Sequence, residues 1–332
     1  MSKVTFAAIA AASAATGAGV TALLYSKPRK QEHPVPSALP PAPPATPSGL
    51  ANIPSSQPPT PSLAPKTSPG APVDPSGIFQ YGFPGPVNDT ITAVPLTGAY
   101  DRRTRNAYWV AEHITPYSLS LNNADRKHSS FVEDTNIPES FRAKLADYFR
   151  SGYDRGHQVP AADAKWSQAA MDGTFALTNM CPQVGEGFNR DYWAHFEQFC
   201  RDLTKKFPSV RIVTGPLYLP HRDPDGKWRV NYEVIGNPPN VAVPTHFYKV
   251  VFAEDGTSSP TSKVALGAFV LPNARIPNEK RLADFEVPLE AIERASGLEF
   301  ASKLEASRRK RLCQEVKCEV VVREFNNARG KK

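Results

Sequence analysis

The chain has 332 residues, 40% apolar and 10% aromatic, enough for one sizeable core or two small domains once tails are set aside. Of its formal charge of +7, residues 1–77 carry +3 and the rest +4, too thin a surplus to mark a polyanion binder by itself. Cys181, Cys200, Cys313 and Cys318 form no C-x-x-C pair, which excludes a zinc ribbon or a disulfide-dense scaffold; all four are expected as free buried thiols.

Val4 to Tyr25 reads VTFAAIAAASAATGAGVTALLY, an uncharged stretch followed by KPRK. Its length suits a bilayer-spanning helix, yet it is Ala-rich and only mildly apolar. Three readings of residues 1–30 stay open: a membrane anchor, the core of a cleaved targeting segment, or a secretory signal. Residues 31–78 are dominated by proline, serine and alanine. Such a stretch cannot bury enough apolar surface to offset its ordering entropy, so an extended disordered tether is expected.

The composition changes at Phe79, and a folded domain is predicted over residues 79–325, ahead of a basic tail at 326–332. Strands are predicted over 108–115 (YWVAEHIT), 211–219, 245–253 and 263–271, each rich in β-branched or aromatic residues and bounded by turn formers. Trp193, Phe196, Cys200 and Leu203 recur at three and four residues and predict a helix over 190–205. Two more helices are expected over 138–149 and 289–295. Strands and helices mix without a βαβ rhythm, which argues α+β over a doubly wound sheet. RRKR at 308–311 reads as a solvated helix face in preference to a nucleic-acid patch.

The chemistry concentrates in DRGHQVPAAD, residues 154–163. Neutral imidazole takes a proton from water at physiological pH, which makes His157 a candidate base. Arg155 offers a planar fork suited to phosphate. Gly156 allows either a positive φ or a close backbone approach. A second cluster, LTNMCPQVGEGFNRDYWAHFEQFCRDL at 177–203, supplies Asn179, Gln183, Asn189 and Glu197. Asn189 precedes the predicted helix and is a good N-cap residue. Helical spacing places Asn189, Trp193 and Glu197 on roughly one side. Amide oxygens and one carboxylate suit a hard, largely hydrated cation such as Mg²⁺, and do not suit zinc. Glu197 and Arg201, at i and i+4, also fit a plain surface ion pair.

YDRGHQVPAAD followed by TFALTNMCPQVGEGFNRDYWAHFE resembles the DNA/RNA non-specific endonuclease family. YGFPGP (81–86), YDRRTRNAYWVAEHIT (100–115), IVTGPLY (212–218), HFYKVV (246–251) and PLEAIERASGLEF (288–300) extend the resemblance over most of residues 79–300. It implies a ββα-metal fold, with a central mixed or antiparallel sheet flanked by helices. It implies an enzyme that cuts DNA and RNA to 5′-phosphate and 3′-hydroxyl ends. His157 would be the general base and Asn189 the single protein ligand to Mg²⁺, for which Mn²⁺ would substitute. Glu197 would orient a metal-bound water, and Arg155 and Arg201 would contact phosphate. Asp154 and Asn179 would support the site from behind. The resemblance also implies a homodimer, a mitochondrial location at the inner membrane or in the intermembrane space, and an N-terminal anchor or removable targeting segment. One departure is visible. Arg190 stands where many members have glutamine, and both a phosphate contact and a merely solvated side chain stay open. Two rival readings are a membrane-tethered nucleic-acid-binding module with a dead site and a secreted scavenging nuclease; intact His157 and Asn189 argue against the first.

Overall fold

The computed structural model describes residues 75–82, 89–256 and 262–321. The anchor or targeting segment expected at 1–30, nearly all of the tether at 31–78 and the tail at 326–332 lie outside the described residues. No helix among the described residues is long and apolar enough to cross a membrane.

The strands longer than two residues are, in chain order, β1 (Asp89–Ala93), β2 (Leu96–Asp101), β3 (Asn106–Ile114), β4 (Asp154–His157), β5 (Met180–Gln183), β6 (Ser209–Leu217), β7 (His246–Glu254), β8 (Val264–Pro272) and β9 (Arg309–Arg311). Seven of them form one sheet in the order β1-β2-β3-β6-β7-β8-β9. Every pairing in it is antiparallel except the last, where β9 runs parallel to β8. The sheet is therefore mixed and mostly antiparallel, as the family resemblance implies. β4 and β5 stand apart as a two-stranded antiparallel pair.

β6 and β7 are buried on both faces, which accounts for their near-continuous apolar sequences. Alternation sends Ile212, Phe247 and Val251 to one side and Val213, Val250 and Phe252 to the other. The first set packs under the helix Tyr192–Leu203 through Trp193, Phe196, Cys200 and Leu203, the residues whose spacing predicts that helix. The second packs under Ile292 of the helix Leu289–Ser296 and under Leu298 and Phe300. The sheet is thus a rigid floor, and the long helix is fixed on it along one apolar face.

Four expectations are corrected. The segment expected as one helix over 138–149 is a 3₁₀ turn, Glu139–Phe141, and a single helical turn, Leu145–Tyr148. A tertiary bond breaks it, the Ala143 amide donating to the Tyr100 hydroxyl, and the second turn starts afresh where Asp147 accepts from the Lys144 amide. Arg309–Arg311 is an edge strand and not a helix face; Arg309 donates to the carbonyls of Ala301 and Leu304 while Arg311 pairs with Glu286. Cys313 and Cys318 form a disulfide, and only Cys181 and Cys200 are free and buried. A five-residue separation matches no spacing signature, so the sequence gives no sign of that bond. Finally, Asn189 does not cap the long helix. It ends a tight turn, Gly185–Asn189, and the residue before the helix is Asp191. Asn189 also lies outside the helix, so helical periodicity does not govern where it points.

Candidate active site

Antiparallel register sets Asp154 opposite Gln183 and His157 opposite Met180. Gly156 is needed here for close approach, not for a positive φ. A Cβ on it would meet the Gln183 Oε1 at 2.0 Å. The chain leaves β5 through the Gly185–Asn189 turn and enters the Tyr192–Leu203 helix at once. The two chemistry-bearing motifs are thus one unit: hairpin, turn, helix.

His157 is 8% exposed. Its ring lies 5.7 Å from Phe131 and 4.9 Å, edge-on, from Phe175. Nε2 is buried and has no hydrogen-bond partner among the described residues. Burial first, and the Arg126 charge second, lower its pKa to about 3, so the imidazole is neutral at physiological pH. The backbone beyond it is clamped by Asn179. The Gln158 amide donates to the Asn179 carbonyl at 2.9 Å, and the Val159 amide donates to Asn179 Oδ1 at 3.0 Å. Asn179 Nδ2 returns bonds to the carbonyls of Val159 and Thr174, at 2.9 and 2.8 Å.

Asp154 binds the second motif. Asn189 Nδ2 donates to its Oδ2 at 2.8 Å. Arg190 forks onto both of its oxygens, Nε to Oδ2 at 2.7 Å and Nη2 to Oδ1 at 2.5 Å. Burial works against the Asp154 carboxylate, but bonds from Arg190 and Asn189 outweigh it and hold its pKa below the ordinary value. Arg155 is exposed, with its guanidinium 4.3 Å over the Phe131 ring that also flanks His157.

Glu197 is partly buried on the long helix. Burial raises its pKa to about 7, against the opposing charges of Lys249 and Arg201. Arg201 does not form the surface pair that its spacing offers with Glu197; it donates to Asp163 at 2.7 Å in a largely buried bridge. Lys249 is 1% exposed, donates to Thr214 Oγ1 at 2.8 Å and sits 4.8 Å from the Trp193 ring centroid. The neighbouring Glu112 carboxyl is pushed well above the usual range by burial and then by Asp163.

The structure therefore brings His157, Asp154, Arg155, Asn179 and Asn189 together around one hairpin, with Glu197 and Arg201 on the helix that follows. Arg126, Phe131, Asp163 and Lys249 escape sequence reasoning. The first two lie in an irregular stretch with no periodicity, and Lys249 sits inside an apolar strand pattern.

The fit of a cation can be judged from the donors. Among the described residues no group of three His, Cys, Asp or Glu side chains could hold a metal. Asp154 takes the Nδ2 end of Asn189, which leaves Oδ1 as the end open to a hard cation. The residues fit a mostly hydrated ion held by a single amide oxygen.

A ββα unit set against a mostly antiparallel sheet defines the class: a ββα-metal nuclease fold. Residues 74–307 match the model of the DNA/RNA non-specific endonuclease family. The chain is 65% identical over 258 residues to a mitochondrial nuclease of Saccharomyces cerevisiae, covering 77% of this chain and 78% of that one. It is 44% identical over 229 residues to the mitochondrial endonuclease G of Caenorhabditis elegans, covering 69% and 72%. The crystal structure of the EndoG/EndoGI complex, on the mechanism of EndoG inhibition, superposes at a TM-score of 0.68 and 42% identity, covering 73% of this chain and 99% of that one. The chain belongs to the DNA/RNA non-specific endonuclease family.

Proposed function

We propose that this endonuclease is Mg²⁺-dependent and indifferent to the sugar, cutting DNA and RNA to 5′-phosphate and 3′-hydroxyl ends. One observation carries the reading most. Asn189 is bonded to Asp154, three residues from a buried and neutral His157 on the same strand. A base and an oriented amide oxygen therefore belong to one hairpin-and-turn unit.

His157 takes the proton of an attacking water. Phe131 and Phe175 fix its ring, and Asn179 holds the backbone beyond it. Asn189 Oδ1 would hold the cation. When bound, the cation offsets charge building on the phosphate oxygens and on the leaving 3′-oxygen. Arg155 meets the phosphate from the exposed side. Glu197, once ionised, orients water beside the cation. Arg201, held by Asp163, adds positive charge behind Glu197.

The names of the relatives support a mitochondrial location. We assign the inner membrane or intermembrane space, an N-terminal anchor or targeting segment in residues 1–30, a tether over 31–78, the endonuclease domain over 79–325 and a homodimer on the same reading. Matched DNA and RNA oligonucleotides with end-group analysis test the chemistry. Both should be cut to 3′-hydroxyl ends. Strict rejection of RNA, or 2′,3′-cyclic phosphates, would overturn it.

A further inference from the structure

Arg190 has a definite partner in the structure, the Asp154 carboxylate. A carboxamide presents a donor end and an acceptor end of nearly the same shape. Before a cation arrives, hydrogen bonding decides which end faces its site. An ionised carboxylate only accepts, so Asp154 can be satisfied only by the Nδ2 end of Asn189. A carboxylate held by that one bond would still turn about its own axis and take the amide with it. Arg190 removes that freedom. Its Nε and Nη2 occupy both Asp154 oxygens, and Oδ2 is shared between Arg190 at 2.7 Å and Asn189 at 2.8 Å. The turn supports the fork from behind. The Arg190 amide donates to the Gly185 carbonyl at 3.0 Å. A side chain at Gly185 would meet Arg190 Nη2 at 2.7 Å and Asp154 Oδ2 at 3.0 Å, so glycine leaves the space the fork needs.

We propose that Arg190 is a positioning residue, which clamps Asp154 so that the Asn189 oxygen is presented to the cation, and that it is not a phosphate contact. This rests on the reading of Asn189 as the metal-holding residue. Lysine cannot replace it, because a point charge does not fix the plane of a carboxylate.

The Arg190 side chain is 66% exposed, so its substitution should leave the fold intact and move the melting temperature little. The test is direct Mn²⁺ binding, followed by electron paramagnetic resonance, to wild type, Arg190→Gln, Arg190→Lys, Asp154→Asn, the Arg190→Gln/Asp154→Asn double variant and Asn189→Ala. Arg190→Gln should weaken Mn²⁺ roughly tenfold, as loss of such outer partners does. Arg190→Lys should recover little of that. Once Asp154 is changed, removing Arg190 as well should cost nothing further. Unchanged Mn²⁺ affinity in Arg190→Gln, with a raised KM and a shallower salt dependence of cleavage, would make Arg190 a phosphate contact and overturn the proposal. Additive losses in the double variant would also overturn it, since Arg190 would then not act through Asp154. Wild-type Mn²⁺ affinity in Asn189→Ala would sink the metal reading itself, and the Arg190 proposal with it.

Discussion

Asn179 and Val159 exchange two hydrogen bonds, the Val159 amide donating to Asn179 Oδ1 and Asn179 Nδ2 donating to the Val159 carbonyl. The pair is buried, and it fixes the chain two residues beyond His157. With a third bond to the Thr174 carbonyl, the amide ties the exit from β4 to the approach to β5.

Asn179→Ala should therefore lower stability by about 2–4 kcal/mol, because a buried amide and two carbonyls lose their partner at once. Urea unfolding measures it. The turnover number should fall as well, since the backbone that aims His157 is loosened. A variant as stable and as fast as wild type would show that the clamp does nothing.

Burial of neutral His157 makes stability depend on pH. The pKa is about 3 in the folded chain and near ~6.5 in an unfolded one. Between those values the unfolded chain takes up a proton that the folded chain refuses, so stability falls as pH drops from about 6.5 towards 3. His157→Phe, which keeps an aromatic ring beside Phe131 and Phe175, should show a shallower loss over that window in urea melts. Identical slopes for the two proteins would mean that His157 is not buried neutral.

Glu197 shifts the other way. Its acid form persists to about pH 7, because burial outweighs the charges of Lys249 and Arg201. On the role proposed for the ionised form, orienting water, kcat should rise with pH through about 7. Glu197→Gln should be slow and lack that limb. A wild-type profile flat from pH 6 to 8 would contradict this role.

Some of this architecture is legible in the sequence because it is repetitive. The Trp193, Phe196, Cys200 and Leu203 spacing gives the long helix, and the β-branched runs give β3, β6, β7 and β8. The residues of the site are also readable, since DRGH and the Asn189 cluster carry unusual chemistry in few positions. Their partnerships are not. Asp163 with Arg201, Lys249 over Trp193 and Arg126 near His157 are distant in sequence and join no local pattern. The segment around Ala143 reads as a helix because propensity is local, whereas the Tyr100 hydroxyl that breaks it comes from β2. Asn189 resembles an N-cap because capping needs only position, and the sequence does not show that Asp154 will take its amide.

The role of His157 as base is measured by nicking of supercoiled plasmid with Mg²⁺ by wild type and His157→Ala. The rate should fall by at least ~10²–10⁴, the usual cost of removing a general base. Circular dichroism should show a folded variant, because alanine at 157 removes a ring from beside Phe131 and Phe175, which still pack on each other, without adding bulk. A folded His157→Ala protein that still nicks plasmid at a rate close to wild type would contradict that role.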